Sequence, residues 1–125
     1  MRKAILIMLL TAVSNSAVAE WAKVDEGNGM ATYVDMTTIQ KKGNVVKMWE
    51  MSDYKVVQNY GFLSAITQRE YDCEEVQFRL LSLAFFSENM GHGQVIDSFR
   101  HTSEWEPLLP SSLGKVMWKR ACNKE

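Results

Sequence analysis

The stretch Val45-Val46-Lys47-Met48-Trp49-Glu50-Met51-Ser52-Asp53-Tyr54 decides the reading of the fold. Successive residues of a strand face opposite sides, so Val45, Lys47, Trp49 and Met51 share one face and Val46, Met48, Glu50 and Ser52 the other. Large apolar side chains occur on both faces, which fits a central strand better than an edge. Upstream, Trp21 to Glu26 and Met30 to Asp35 are short β-rich segments around Gly27-Asn28-Gly29, whose residues accept the positive φ of a tight hairpin. Asp35 can cap a single turn through Ile39, and Lys41-Lys42-Gly43-Asn44 reads as a polar turn leading into the central strand.

Downstream, periodicity fades between Lys55 and Ser64, where Asn59-Tyr60-Gly61 marks a surface connection of the kind that carries binding residues. Ala65 to Glu75 and Val76 to Glu88 read as two strands or one bent pair, and the run Leu80 to Phe86 also suits a helix. Strand is preferred because Asn89-Met90-Gly91-His92-Gly93 is a strong turn signal and Gln94 to Arg100 resumes alternation. Even alternation sets Phe78, Leu80, Ser82, Ala84 and Phe86 against Arg79, Leu81, Leu83 and Phe85. Pro107 and Pro110 argue against regular structure after Trp105, and Ser111 or Ser112 can cap a helix starting near Leu113. Its buried stripe is expected to be Leu113, Val116, Met117 and Ala121, with Trp118 and Cys122 beside it.

The chain opens on Met1-Arg2-Lys3, an apolar run from Ala4 to Val13 and a polar stretch ending Ala17-Val18-Ala19 before Glu20. Basic, apolar and small-x-small segments in that order form a signal peptide, with cleavage expected between Ala19 and Glu20. The apolar run is about half of the roughly twenty residues that a spanning helix needs, so no stable membrane insertion is expected after cleavage. No cysteine adjoins the site to accept a lipid, and the product is expected in the periplasm or released, as one domain over residues 20–125.

The 125 residues carry a formal net charge of −1, and 46% are hydrophobic. That composition supports a packed core and argues against nucleic acid as a partner, since such binders concentrate positive charge against phosphate. The cluster Lys115, Lys119, Arg120 and Lys124 fits the negative end of a helix dipole instead. Two cysteines in an exported chain are most simply a disulfide, Cys73 to Cys122. The rival reading, two free thiols of a redox or metal site, lacks a Cys-x-x-Cys pair. The disulfide would pin the last helix to a strand at Cys73.

Signals for catalysis are sparse. His92 lies in a glycine turn and His101 at a strand end, with no spacing that suits zinc or a base and its partner. Glu70, Asp72, Glu74 and Glu75 crowd Cys73, and paired carboxylates can do acid and base work, but alternation places three of them on one solvated face. No nucleophile elbow or phosphate-cradling glycine loop is present, so no catalytic, metal or cofactor site is assigned. Among Trp21, Trp49, Trp105 and Trp118, the best candidate for an exposed aromatic is Trp105, between Glu104 and Glu106. The candidate partner surface is Asn59, Tyr60 and Trp105.

From Ala65 to Cys122 the chain resembles the surface-adhesin protein E family of Gram-negative bacteria. The matching elements are Tyr71-Asp72-Cys73, Arg79 with Leu81, Phe85-Phe86, Met90-Gly91 with Gly93 and Val95, Trp105, Pro110-Ser111-Ser112, and Trp118 with Cys122. The residues and the resemblance together imply an α+β fold: a single antiparallel sheet of about six strands with a C-terminal helix packed on it and one disulfide. The resemblance also implies a non-enzymatic protein that binds a host matrix or plasma protein, or an envelope protein. An alternative is a periplasmic inhibitor of a hydrolase such as lysozyme or a protease, and a hydrolase built on Glu70, Asp72 and His92 is the third. Exposed sheet edges leave room for a homodimer.

Overall fold

The computed structural model describes residues 19–124, so the expected leader, apart from Ala19, lies outside the described residues. Eight strands form one antiparallel sheet: β1 (Trp21–Gly27), β2 (Met30–Asp35), β3 (Gln40–Lys42), β4 (Val45–Tyr54), β5 (Ser64–Asp72), β6 (Gln77–Phe86), β7 (Val95–Arg100) and β8 (Glu106–Pro107). One helix, α1 (Leu113–Ala121), follows. The main order is β1-β2-β4-β5-β6-β7, the expected sheet of about six strands, and β3 and β8 add short pairings beside β4 and β6. Asn28 and Gly29 both take positive φ, 55° and 77°, and close the first hairpin as its sequence requires.

β4 is central: β5 pairs along one side from Val45 to Asp53, and β3 and then β2 share the other. Val34, Val46, Met48 and Tyr71 from the sheet pack with Met117 and Trp118 from α1 to make the main core. The helix starts where Ser112 accepts the amide of Lys115 at 3.1 Å, a side-chain cap at the second of the two expected serines. It is fixed to the sheet at its far end by the Cys73–Cys122 disulfide and by the Trp118 indole N–H, which donates to the Asp72 carbonyl at 2.8 Å.

Several local expectations are corrected. Cys73 lies just past β5, in the turn to β6, and its amide donates to the Asn44 carbonyl at 2.8 Å. Gln40 to Lys42 form a strand on β4, so the polar turn shrinks to Gly43 and Asn44. Pro107 sits in β8 opposite Gln77, tolerated because an edge strand need not use every amide. On α1, Val116 is 41% exposed whereas Met117 and Trp118 are buried. The two attachments at Trp118 and Cys122 set the rotation of the helix, so Trp118 takes the place expected of Val116, while Leu113, Met117 and Ala121 pack on the core as expected.

The even alternation expected for β6 also fails. Arg69 pairs with Leu80 and Gln68 with Ser82, which leaves Leu81 as the extra residue of a bulge. Phe78 and Leu80 therefore share a face with Leu83 and Phe85, the face on which α1 lies.

The disulfide closes a loop of 49 residues in sequence separation. On the chain-entropy model that constraint is worth about 4 kcal/mol. Urea unfolding of a Cys73→Ser, Cys122→Ser double variant is expected to show a loss approaching that figure with α1 the first element to exchange its amides.

Candidate functional site

At the end of the sheet away from the disulfide, the segment between β4 and β5 folds back over the helix-bearing face. Its ends are tied by the Tyr54 amide to the Leu63 carbonyl and the Leu63 amide to the Phe86 carbonyl, both at 2.9 Å. Within it, the Gln58 amide donates to the Phe62 carbonyl and the Gly61 amide back to the Gln58 carbonyl. Closing so short a loop puts Tyr60 at φ 67°, a left-handed conformation rarely adopted by a residue with a bulky side chain. Its ring is 91% exposed.

Beside Tyr60, Phe62 turns inward, with its ring centroid 4.4 Å from Phe85 and 5.7 Å from Tyr54. Phe99, paired with Leu83 across β6 and β7, and Ile96 complete an apolar groove of about 700 Å³ rimmed by Gln58, Asn59 and Asp97. Phe99 is 53% exposed. All six residues of β7 are exposed, and among the described residues no strand pairs with its outer edge. An aromatic groove continuous with an open strand edge can take up an extended segment of another chain, with main-chain bonds at the edge and side chains in the groove.

Of the three candidate partner residues, the structure places Asn59 and Tyr60 at this groove and Trp105 elsewhere. Trp105 is half-buried, its ring lying under the Arg79 guanidinium at 4.4 Å. The expectation of an exposed aromatic there is corrected, because Arg79, itself paired with Glu70 at 2.8 Å, covers the ring. Phe62, Phe85, Ile96 and Phe99 were not singled out from the sequence as partner-surface residues. Phe62 lies in an aperiodic stretch, and Phe85 reaches the groove side only through the bulge at Leu81.

The carboxylates near Cys73 do structural tasks. Asp72 accepts the amides of Glu74 and Glu75, which shapes the β5–β6 turn; these bonds, joined by one from Gln77, outweigh desolvation and hold its carboxyl below the ordinary value. His92 is exposed near the other end of the nine-residue β5, roughly 25 Å away at strand spacing, so a centre combining it with Asp72 and Glu70 is not assembled. Among the described residues no group of three His, Cys, Asp or Glu side chains could hold a metal ion.

One ionisable cluster is buried. Glu50, 3% exposed on β4, accepts from Arg69 at 2.7 Å and from the Tyr71 hydroxyl. Burial pushes the Glu50 carboxyl above its ordinary value; the attraction of Arg69 and the bond from Tyr71 offset only part of this, and Arg69 is one-third open to solvent. Burial next to Glu50 pushes the Tyr71 phenol well up, so it stays a donor.

A disulfide-stapled antiparallel sheet that leaves an aromatic groove and a strand edge uncovered has the form of a binding module. The model of the surface-adhesin protein E family matches residues 21–123, and the chain belongs to that family. The match extends the resemblance over the N-terminal half as well. Solved structures of Haemophilus influenzae protein E share the fold: one superposes with a TM-score of 0.63 at 12% identity over 86% of this chain and 87% of that one. Crystal form II of protein E gives 0.60 at 14% identity over 86% of this chain and 97% of that chain. No curated protein sequence matches the chain. Among the described residues no helix is long and apolar enough to cross a membrane.

Two outcomes follow from this geometry. Tyr60→Gly removes left-handed strain at the cost of a more flexible unfolded chain, so the unfolding free energy measured in urea should rise by about 0.5–1 kcal/mol. For Glu50, the folded state holds the proton more tightly than the unfolded chain, whose value is near 4.5. Stability should therefore fall as pH rises through the interval just above 4.5, and Glu50→Gln, though less stable throughout, should lose that fall in pH-dependent unfolding.

Proposed function

We propose that the chain is an exported, non-enzymatic binding protein that recognises a matrix, plasma or envelope protein through the groove at Tyr60, Phe62 and Phe99 and the neighbouring edge of β7. Membership of an adhesin family supports the binding role. The single observation that carries the location is the Tyr60 ring, almost wholly exposed at the mouth of an aromatic groove; its positive φ is shared with Val76, Met90 and Ser111. A rigid, exposed loop would also suit the alternative, a plug for a hydrolase. A second copy adding to β7 would compete for the same surface.

Export by the signal peptide gains support from the start of the described chain. The Glu20 nitrogen lies 3.2 Å from Oδ1 of Asp35, a buried carboxylate that also accepts from Thr37. Cleavage after Ala19 turns that amide into an α-ammonium ion and the hydrogen bond into an ion pair, which would seat the new terminus against β2.

Immobilised protein lacking residues 1–19 is expected to retain at least one component of a panel of matrix, plasma and solubilised envelope proteins. Tyr60→Gly and Phe99→Asp should each weaken retention by about thirty-fold or more, as exposed aromatic anchors do, while Lys41→Ala leaves it unchanged. Retention that ignores both groove changes, or no retention at all, refutes the reading. Inhibition of lysozyme or a protease that depends on Tyr60 would favour the plug.

A further inference from the structure

The groove lies at one end of the helix-bearing face; nearer α1, between the sheet and the first turns of the helix, is a second cavity of about 340 Å³. Its volume falls at the small end of the range for clefts that take small molecules, about 300–1,000 Å³. Its two walls differ in chemistry. The sheet wall is mainly polar, with Thr32, Glu50, Ser52, Arg69 and Tyr71 beside the Phe78 ring. By contrast, α1 and the segment before it are mainly apolar, with Leu108, Leu109, Leu113 and Met117, the Ser112 hydroxyl there being used in the helix cap.

The polar wall is already balanced in charge. Glu50 is matched by Arg69, and each carboxylate oxygen accepts one bond, from Arg69 or Tyr71. A second charge entering this space would have to break that pair or remain uncompensated. The wall is not balanced in hydrogen bonds. The Thr32 hydroxyl is buried without a partner, although buried hydroxyls are nearly always paired. Ser52 stands opposite Thr32 in the pairing of β2 and β4, on the same face. Each Glu50 oxygen retains a free lone-pair direction. Rotation of Thr32 by one rotamer well moves its hydroxyl into the position now held by its methyl group or its Hβ and gives the hydroxyl a new direction in which to meet a partner.

We propose that this cavity binds a small neutral amphiphile, an aliphatic alcohol or amide, whose head hydrogen-bonds with Thr32, Ser52 and Glu50 and whose hydrocarbon body lies against Leu109, Leu113 and Met117. The site is independent of the partner groove, because none of these side chains lines it. Neutrality of the ligand follows from the Glu50–Arg69 pair. Its amphiphilic character follows from the two walls.

The test is a methyl and amide NMR titration of the protein lacking residues 1–19 with 1-octanol, using octane and octanoate as controls. Octanol is expected to give saturable shifts at Leu113 and Met117, and octanoate to bind more weakly. Thr32→Val should weaken octanol about two- to ten-fold, the effect of one lost hydrogen bond, and leave octane unchanged. Ser52→Ala gives an independent reading of the same wall and should also weaken octanol selectively, while Ser52→Phe should block both ligands by filling the space from the sheet side. Tyr60→Gly should change nothing here. The proposal is overturned by the absence of saturable shifts up to the solubility limit, by octanol affinity unaffected in both Thr32→Val and Ser52→Ala, or by octanoate binding as tightly as octanol.

Discussion

The attachment of α1 to the β5–β6 turn governs how the rest of the sheet is arranged, because the helix is too short to do more than one task. Nine helical residues span roughly 14 Å. Six strands at ordinary spacing are roughly 24 Å across. The disulfide and the bond from Trp118 to Asp72 hold that short helix over Val34, Val46, Met48 and Tyr71, where it completes a core. Everything beyond its reach on the same face must be covered by something else or face solvent.

Loops do the remaining covering, and they do it unevenly. On the face opposite α1, the turn between β6 and β7 is pinned over the sheet by the Asn89 side chain and the Met90 amide, both donating to Asp53, and by the Gly91 amide donating to Ser64. Gly91 is required there: a Cβ would lie 2.7 Å from the Ile66 side chain, and the residue has φ 73°. That close contact is how Met51 comes to be buried on a face that has no helix. On the helix-bearing face the β4–β5 loop folds inward only through Phe62, and its tip carries Tyr60 out into solvent. An incompletely covered face is thus a consequence of the short helix, and the groove sits where coverage ends.

What could be read from the sequence follows the same division. The central place of β4, the first hairpin, the Ser112 cap and the cysteine pairing are visible because each depends on local chemistry or on a pattern of period two. The bulge at Leu81 is not, since no glycine or proline marks it; it coincides with a change of neighbour along β6, where Ser103 and His101 donate to the carbonyls of Leu80 and Leu81 between the β7 and β8 pairings. That one unmarked residue reverses which of Phe85 and Phe86 faces the groove. Asn59 and Tyr60 could be found because a turn signal stood out from a stretch without periodicity. Trp105 was misjudged because its cover, Arg79, comes from another strand, and pairing across strands is not written in local sequence.

Two of the departures from maximal stability in this domain lie on one face and are of different kinds. Tyr60 stores backbone strain at an exposed tip, whereas Glu50 and Arg69 place charge beneath a helix, in a core where apolar residues of similar volume would often serve stability as well or better. The Glu50 cluster also fixes how the sheet strands stand to one another, because Glu50 on β4 bonds only to side chains of β5 and a slip of one residue would turn it to the other face. A register so specified permits β4, with Val46 and Met48 on one face and Trp49 and Met51 on the other, to be apolar on both faces without ambiguity of pairing. The groove is built on β6, β7 and the β4–β5 loop, whereas the cluster ties β4 to β5, so the two meet through the pairing of β5 with β6 and not on a common strand.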